Sequence, residues 1–338
     1  MRRGLMAWDA DEVPVEALRQ RIRRLQGELA SADRDAIILY TNFIRSAAVS
    51  YLTAFSPYWA DGLLLVPREG EPVFATTLSK RVGEWIQTVK PVGDLVNSPM
   101  PAKVLGEIIG EKKARRLSIL ELDAFPSGLY QEFVAAAPGV QIVDGTEVFA
   151  KARAIDDVER RLFERADRIA AAALQSVDPV HAETAGDAVG AVERSARIQG
   201  AEEAYVAIAC DLDSHRRFAR VSGATPLKRR FAIRATVAYK GVWVRRIRTY
   251  ARDKADRTIT DRADAWFKTL LAQVDSSRLL QDQIATELPV GATLVSRAAE
   301  GPVGTRPLAA DSNGPVVTVA LTIEGVPWHG AGLMQRPA

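Results

Sequence analysis

Residues 231–250, FAIRATVAYKGVWVRRIRTY, constrain the fold of this chain more than any other stretch. Apolar and polar residues alternate, break at Lys240-Gly241, and alternate again, which predicts a β-hairpin. Val, Ile, Thr, Tyr and Trp dominate it, as suits a pleated, half-buried surface. Arginines interrupt the pattern at Arg234, Arg245, Arg246 and Arg248. Strand side chains alternate with a period of two, so any even-numbered loop places Arg234 and Arg245 on one face. A register slip of two leaves them there. At a separation of about 5 Å and an effective dielectric of about 20, two such charges repel by roughly 3 kcal/mol. The face must therefore supply carboxylates, receive an anionic ligand, or open to water. Glu203, Asp211, Asp213 and Glu300 are the candidate carboxylates.

The flanking sequence divides in two. Leu18, Ile22, Leu25 and Leu29 repeat at helical spacing over residues 15–30, and short apolar strands follow at 36–39, 49–55, 62–66 and 72–76. Helices are expected over 79–88, 102–109 and 126–137, with strands over 117–122 and 140–143. This alternation predicts an α/β domain over residues 1–150. From 151 the character changes. Asp156 is a good N-cap for a helix running to about Gln175, residues 182–200 form another helix, and 205–210, 231–250 and 316–323 read as strands. One helix over 262–274 interrupts them. Residues 151–338 are thus expected to be an α+β domain with an antiparallel sheet.

Composition narrows the function. The chain has 338 residues, net charge +3 and one cysteine, Cys210, so no disulfide forms within it, as in a reducing compartment. The N-terminal MRRGLMAWDADEV lacks the apolar run of a secretory signal. No stretch reaches the roughly 18 apolar residues of a membrane span. The basic clusters at 112–116, 216–220 and 228–230 lack the interleaved aromatics of a nucleic-acid module. A cytoplasmic protein without nucleic-acid or membrane partners is expected.

Four stretches together resemble the creatinase/aminopeptidase P family. Val49-Ser50-Tyr51-Leu52-Thr53-Ala54-Phe55 resembles the family's V-x-Y-L-T-G-F segment. Residues 152–173 are similar to its linker and first helix. Gly200-Ala201-Glu202 matches its G-A-E, and Lys240–Thr249 is similar to its hairpin G-Y-x-x-D-x-T-R-T. The resemblance implies a small α/β N-terminal domain joined to an α+β pita-bread domain with a curved antiparallel sheet, here shorter than usual. Metal-dependent relatives bind two divalent ions through two hairpin aspartates, whose positions here carry Arg234 and Arg245. The ligand histidine of H-G-x-G corresponds to Gly301-Pro302-Val303-Gly304, and the glutamate of T-x-E-P to Ala320. The last ligand glutamate has no counterpart. No metal or other cofactor is therefore expected, and hard cations would lack their oxygen ligands.

Two readings follow. In the first, the chain is a pseudoenzyme or regulatory subunit that binds a small anion at Arg234 and Arg245. The family's habit of pairing implies a homodimer, or a heterodimer with a related subunit. In the second, it is a metal-independent hydrolase or lyase acting on a C–N bond, as creatinase is. Asp211-Leu212-Asp213-Ser214-His215 resembles the loop carrying creatinase's proton-shuttling histidine, which makes His215 the candidate acid/base. Creatinase's acidic partner corresponds to Ile247, and its second glutamate is not evident. Arg45 follows the first strand, where creatinase grips its substrate's carboxylate from the partner subunit, and is the third ligand-binding candidate.

Overall fold

The computed structural model describes residues 8–42, 45–55, 60–273, 282–284, 287–300 and 316–334. The chain forms two compact units that divide after Arg160.

The N-terminal unit runs α1 (Val15–Ser31), β1 (Ala36–Thr41), α2 (Ala47–Thr53), β2 (Gly62–Pro67), β3 (Val73–Thr76), α3 (Gly83–Val89), β4 (Asp94–Asn97), α4 (Pro101–Glu111), β5 (Arg116–Ile119), α5 (Ser127–Ala136), β6 (Gln141–Asp144) and α6 (Thr146–Ala152). Its sheet has the order β4-β3-β2-β1-β5-β6. The β1–β2 and β2–β3 pairs are antiparallel and the outer pairs parallel. Ile38, Leu63 and Leu65 bury one face against Leu105 and Ile109 of α4 and Phe133 of α5. The helical stripe read from sequence is real: Leu18, Ile22, Leu25 and Leu29 are all buried.

One expectation for this unit fails. Residues 49–53 of the expected 49–55 strand lie instead in α2, which is capped by Ala54 in the left-handed conformation (φ 55°). A seven-residue run is too short for period to decide, and tertiary contacts decide instead. The Tyr51 hydroxyl donates to the Ala154 carbonyl (2.9 Å), and Arg21 donates to the Tyr51 carbonyl (2.7 Å). The Tyr51 ring lies between two guanidiniums, with Arg21 4.4 Å and Arg153 3.9 Å from its centroid. Arg21, only 4% exposed, also grips Asp156 bidentately (2.6 and 2.8 Å). Asp156 is the predicted N-cap and accepts from the Glu159 amide (2.9 Å).

The C-terminal unit contains most of α7 (Asp157–Gln175), then α8 (Ala185–Ile198), β7 (Glu203–Ala209), β8 (Arg230–Tyr239), β9 (Val242–Ala251), α9 (Lys254–Gln273), β10 (Ala292–Glu300), β11 (Val316–Ile323) and β12 (Val326–Leu333). Its sheet has the order β10-β11-β12-β9-β8-β7 and every pairing is antiparallel. α7 and α8 cover Val206, Ile208, Phe231, Ile233 and Val237. α9 covers Val317, Val319, Leu321 and Trp328.

α9 starts eight residues before the expected Arg262. Its buried stripe opens with polar residues, Asp256 and Thr260, before Ala263 and Phe267. Asp256 is buried because Arg230 meets it through Nε (2.5 Å) and a second nitrogen (3.2 Å). β12, Val-Pro-Trp-His-Gly-Ala-Gly-Leu, was not among the expected strands, and neither was β10; glycine generally weakens a strand. Here the glycine makes room: a Cβ on Gly330 would lie 2.2 Å from Trp328 and 3.2 Å from Phe267.

The Arg21–Asp156 pair carries a stability prediction. Burial acts to raise the Asp156 carboxyl, but Arg21, the Glu159 amide and Arg24 outweigh it and hold it below the ordinary range. Its contribution is complete above the unfolded carboxyl value, about 3.9, and is lost as pH falls through the folded value. Asp156→Asn leaves a buried guanidinium without its counter-charge and is expected to cost about 3 kcal/mol. Urea unfolding at pH 7 measures this, and the acid limb of stability should flatten in the variant.

Candidate functional site

The hairpin between β8 and β9 has a two-residue turn, Lys240-Gly241, with Tyr239 paired to Val242. Both turn residues have positive φ, 46° and 84°, as a type I′ hairpin turn requires. The buried Glu202 carboxylate accepts from the Gly241 amide (3.4 Å). The family-like G-A-E segment thus anchors the turn.

This register sorts the side chains. Phe231, Ile233, Ala235, Val237 and Tyr250 face the helices, and so, by parity, do Arg246 and Arg248. Arg234 pairs with Ile247, and Arg245 with Thr236, so Arg234 and Arg245 share the opposite face, as expected. They are diagonal rather than direct neighbours. At about 7 Å and an effective dielectric of about 20 their repulsion is roughly 2 kcal/mol. Both are half-buried, and neither lacks partners within the protein.

Further groups join them. Arg216 donates to the Thr322 hydroxyl (2.8 Å). Phe218 rests on Ala209, Leu212 and Ala232, with the Arg234 guanidinium 5.5 Å from its ring centre. Arg220 lies 5.5 Å from the Tyr205 ring, which stacks on Trp243 at 5.4 Å and 3°. Four guanidiniums and three aromatic rings thus surround the face that sequence marked only by Arg234 and Arg245. Arg216, Phe218 and Arg220 come from a loop with no periodic pattern, and only the basic cluster at 216–220 hinted at them.

His329 was also missed. It pairs with Ala320 on β11, opposite in facing to Trp328 of the helix-side core. Its ring meets Phe218 edge-on at 5.6 Å. Among the described residues its buried Nε2 has no hydrogen-bond partner, and neither does the buried Thr318 hydroxyl. Burial, aided by the Arg216 charge, pushes the imidazole down to about 4.

His215 lies elsewhere in character. It is exposed, its amide donates to the Asp211 carbonyl (3.0 Å), and no described side chain hydrogen-bonds its ring. Asp211 folds this turn by accepting from the Ser214 hydroxyl (2.6 Å) and from the amides of Asp213 and Ser214. Those bonds hold its carboxyl below the usual range despite some opposing burial. Asp213 pairs with Arg230 (2.7 Å). Arg45 belongs to the N-terminal unit, where it donates to the Ala124 carbonyl (2.6 Å) and lies 3.9 Å from Glu121. Gly301–Gly304 and the Glu300 side chain lie outside the described residues.

The side chains present do not fit a pair of divalent ions. Positions 234, 245 and 320, which the resemblance matches to the family's metal ligands, carry two guanidiniums and a methyl group. Among the described residues no three His, Cys, Asp or Glu side chains come together as a metal site. Hard cations need several oxygen ligands, whereas this face offers N–H donors.

The buried histidine gives a pH prediction. Its folded value, about 4, lies below the ordinary 6.5. The unfolded chain therefore takes up a proton first as pH falls from 6.5 to 4, and stability declines over that window. The full effect is roughly 3 kcal/mol. An NMR titration should find the His329 ring neutral at pH 5.5, and His329→Phe should flatten the decline.

Residues 21–155 match the Creatinase/Prolidase N-terminal domain family. No curated protein sequence matches the chain significantly. Among solved structures, the Xaa-Pro dipeptidase from Bacillus anthracis superposes with a TM-score of 0.66 at 18% identity, covering 93% of each chain. The X-Pro aminopeptidase from Thermotoga maritima gives 0.64 at 16% identity, covering 94% of this chain and 98% of that one. The prolidase from Pyrococcus horikoshii gives 0.63 at 15% identity, covering 92% and 94%. Residues 21–155 thus form a creatinase/prolidase-type N-terminal domain, and the chain as a whole shares the fold of these structures, with a pita-bread domain built on a six-stranded antiparallel sheet.

Proposed function

We propose that this protein is a metal-free pseudoenzyme, a binding or regulatory subunit whose C-terminal sheet holds a small anion at Arg234 and Arg245. The observation that carries this reading is the hairpin register, which gathers both guanidiniums on one face. The fork of a guanidinium matches carboxylate or phosphate bidentately. Each carries five N–H donors, so an anion can add to the contacts the protein already makes.

The alternative, a metal-independent C–N hydrolase or lyase with His215 as acid/base, draws less support. A proton shuttle needs a partner within hydrogen-bond reach, and the exposed His215 ring has none among the described residues. Arg45 is assigned a role in trans, gripping the anion bound by a second copy or by a related subunit. A dimer in a cytoplasmic setting is part of the proposal. It is consistent with the absence, among the described residues, of any helix able to cross a membrane.

Thermal unfolding with succinate and with inorganic phosphate tests the anion site. At 100 times the dissociation constant a ligand adds about 2.7 kcal/mol, so the melting temperature should rise, and Arg245→Gln should abolish the rise. No rise with either anion, or an equal rise in the variant, overturns the site. Metal analysis of the purified protein is expected to find no stoichiometric zinc, manganese or cobalt. Finding one at this hairpin overturns the metal-free reading. Sedimentation should give a dimer.

A further inference from the structure

The helix-covered side of the same sheet holds a cavity of about 380 Å³ between α7 and α9, over β9 and β12. Its size lies within the range of small-molecule sites, about 300–1,000 Å³. Leu174 from α7, Phe267 from α9 and Trp328 from β12 supply apolar walls. Arg248, Asp264 and Lys268 line it as well, as does Arg246.

The two arginines differ. Arg246 is satisfied: Asp167 of α7 receives it bidentately, with both contacts at 2.6 Å. The side chain of Arg248, two residues on, hydrogen-bonds no described residue. Its nearest carboxylate oxygen is Asp264 Oδ2, 3.9 Å from Nε, beyond hydrogen-bond range. The other Asp264 oxygen accepts from the Trp328 indole (2.8 Å), so this carboxylate is turned to the tryptophan. The Arg248 guanidinium also lies 5.4 Å from the Tyr250 ring, a contact that leaves its in-plane donors available. With Arg246 neutralised by Asp167, the remaining lining charges are Arg248 and Lys268 against Asp264, an excess of one positive charge.

We propose that this cavity binds a small apolar monocarboxylate, with Arg248 fixing the carboxylate and Phe267 and Trp328 seating an aromatic or branched aliphatic body. The charge excess selects a monoanion over an amine. The apolar walls favour an organic acid, whose body they cover, over inorganic phosphate, whose oxygens turned toward Leu174, Phe267 and Trp328 would find no donors there. The site is separate from the Arg234/Arg245 face, because the parity of β9 sends Arg245 and Arg248 to opposite sides of the sheet.

Isothermal titration with phenylacetate tests this, with phenylacetamide as the uncharged isostere. One saturable site is expected, at least tenfold weaker for the amide. Arg248→Gln should weaken phenylacetate at least tenfold, and Ala171→Leu, which fills the cavity from α7 with Arg248 untouched, should do the same. Arg194→Gln, on the exposed face of α8, should leave the affinity unchanged, and saturating succinate, the probe of the Arg234/Arg245 face, should not displace phenylacetate. Cooperative melting of each variant checks its fold, and if Arg248→Gln fails to fold, Ala171→Leu decides. Absence of binding at millimolar phenylacetate overturns the proposal. So does unchanged affinity in Ala171→Leu or in a folded Arg248→Gln, or displacement of phenylacetate by succinate.

Discussion

Everything distinctive about the C-terminal unit depends on one two-residue turn. Lys240 and Gly241 both take positive φ, which matches the turn to the right-handed twist of its strands. Glycine adopts this freely, whereas lysine does so at a cost, and the buried Glu202 carboxylate helps hold the turn by accepting from Gly241. A slip of one residue would send every side chain to the other face. The turn therefore keeps Arg234 and Arg245 on the open face and Arg246 and Arg248 among the helices. Four arginines close in sequence become two pairs with no shared environment.

Carboxylates and aromatic rings share in stabilising the arginines. In the N-terminal unit, carboxylates answer guanidiniums directly: Arg21 meets Asp156, and Arg153 meets Glu159 at 2.5 and 2.7 Å. On the open face of the C-terminal sheet, aromatic rings take a larger part, with Arg234 over Phe218 and Arg220 over Tyr205. A ring engages the face of a guanidinium and leaves the in-plane N–H groups directed outward. Charge is stabilised in both cases, by carboxylates in the first and with a share from aromatic rings in the second.

Much of this was legible in the sequence, and the reasons it was or was not are local. The hairpin could be read because its alternation runs for twenty residues around a turn dipeptide. The α7 start could be read because Asp156 is a side-chain cap with a hydrogen bond to show for it. The helix that takes in residues 49–53 could not, since Arg21 and Ala154, distant in the chain, hold Tyr51 within it. The early start of α9 was hidden because its buried face opens on Asp256, whose partner Arg230 lies in another element. The site divides the same way. Parity alone put Arg234 and Arg245 together, whereas Phe218 and His329 reach that face from a loop and from a strand about eighty residues beyond the hairpin.

That last strand joins the sheet along an unusual seam. β12 meets β9 in register at Ala331 and Ile247. Beside that pair, the Thr249 hydroxyl accepts from the His329 amide (2.8 Å) and donates to its carbonyl (3.0 Å). A single hydroxyl thus stands where backbone would ordinarily bond to backbone. β8 and β9 close through a two-residue turn, as do β11 and β12, while the seam joins residues 247 and 331. Closing so long a loop carries the larger entropic cost, and contacts of such separation slow folding. The hairpins thus rest on local closure, whereas their junction is the long-range contact, with Thr249 as the latch.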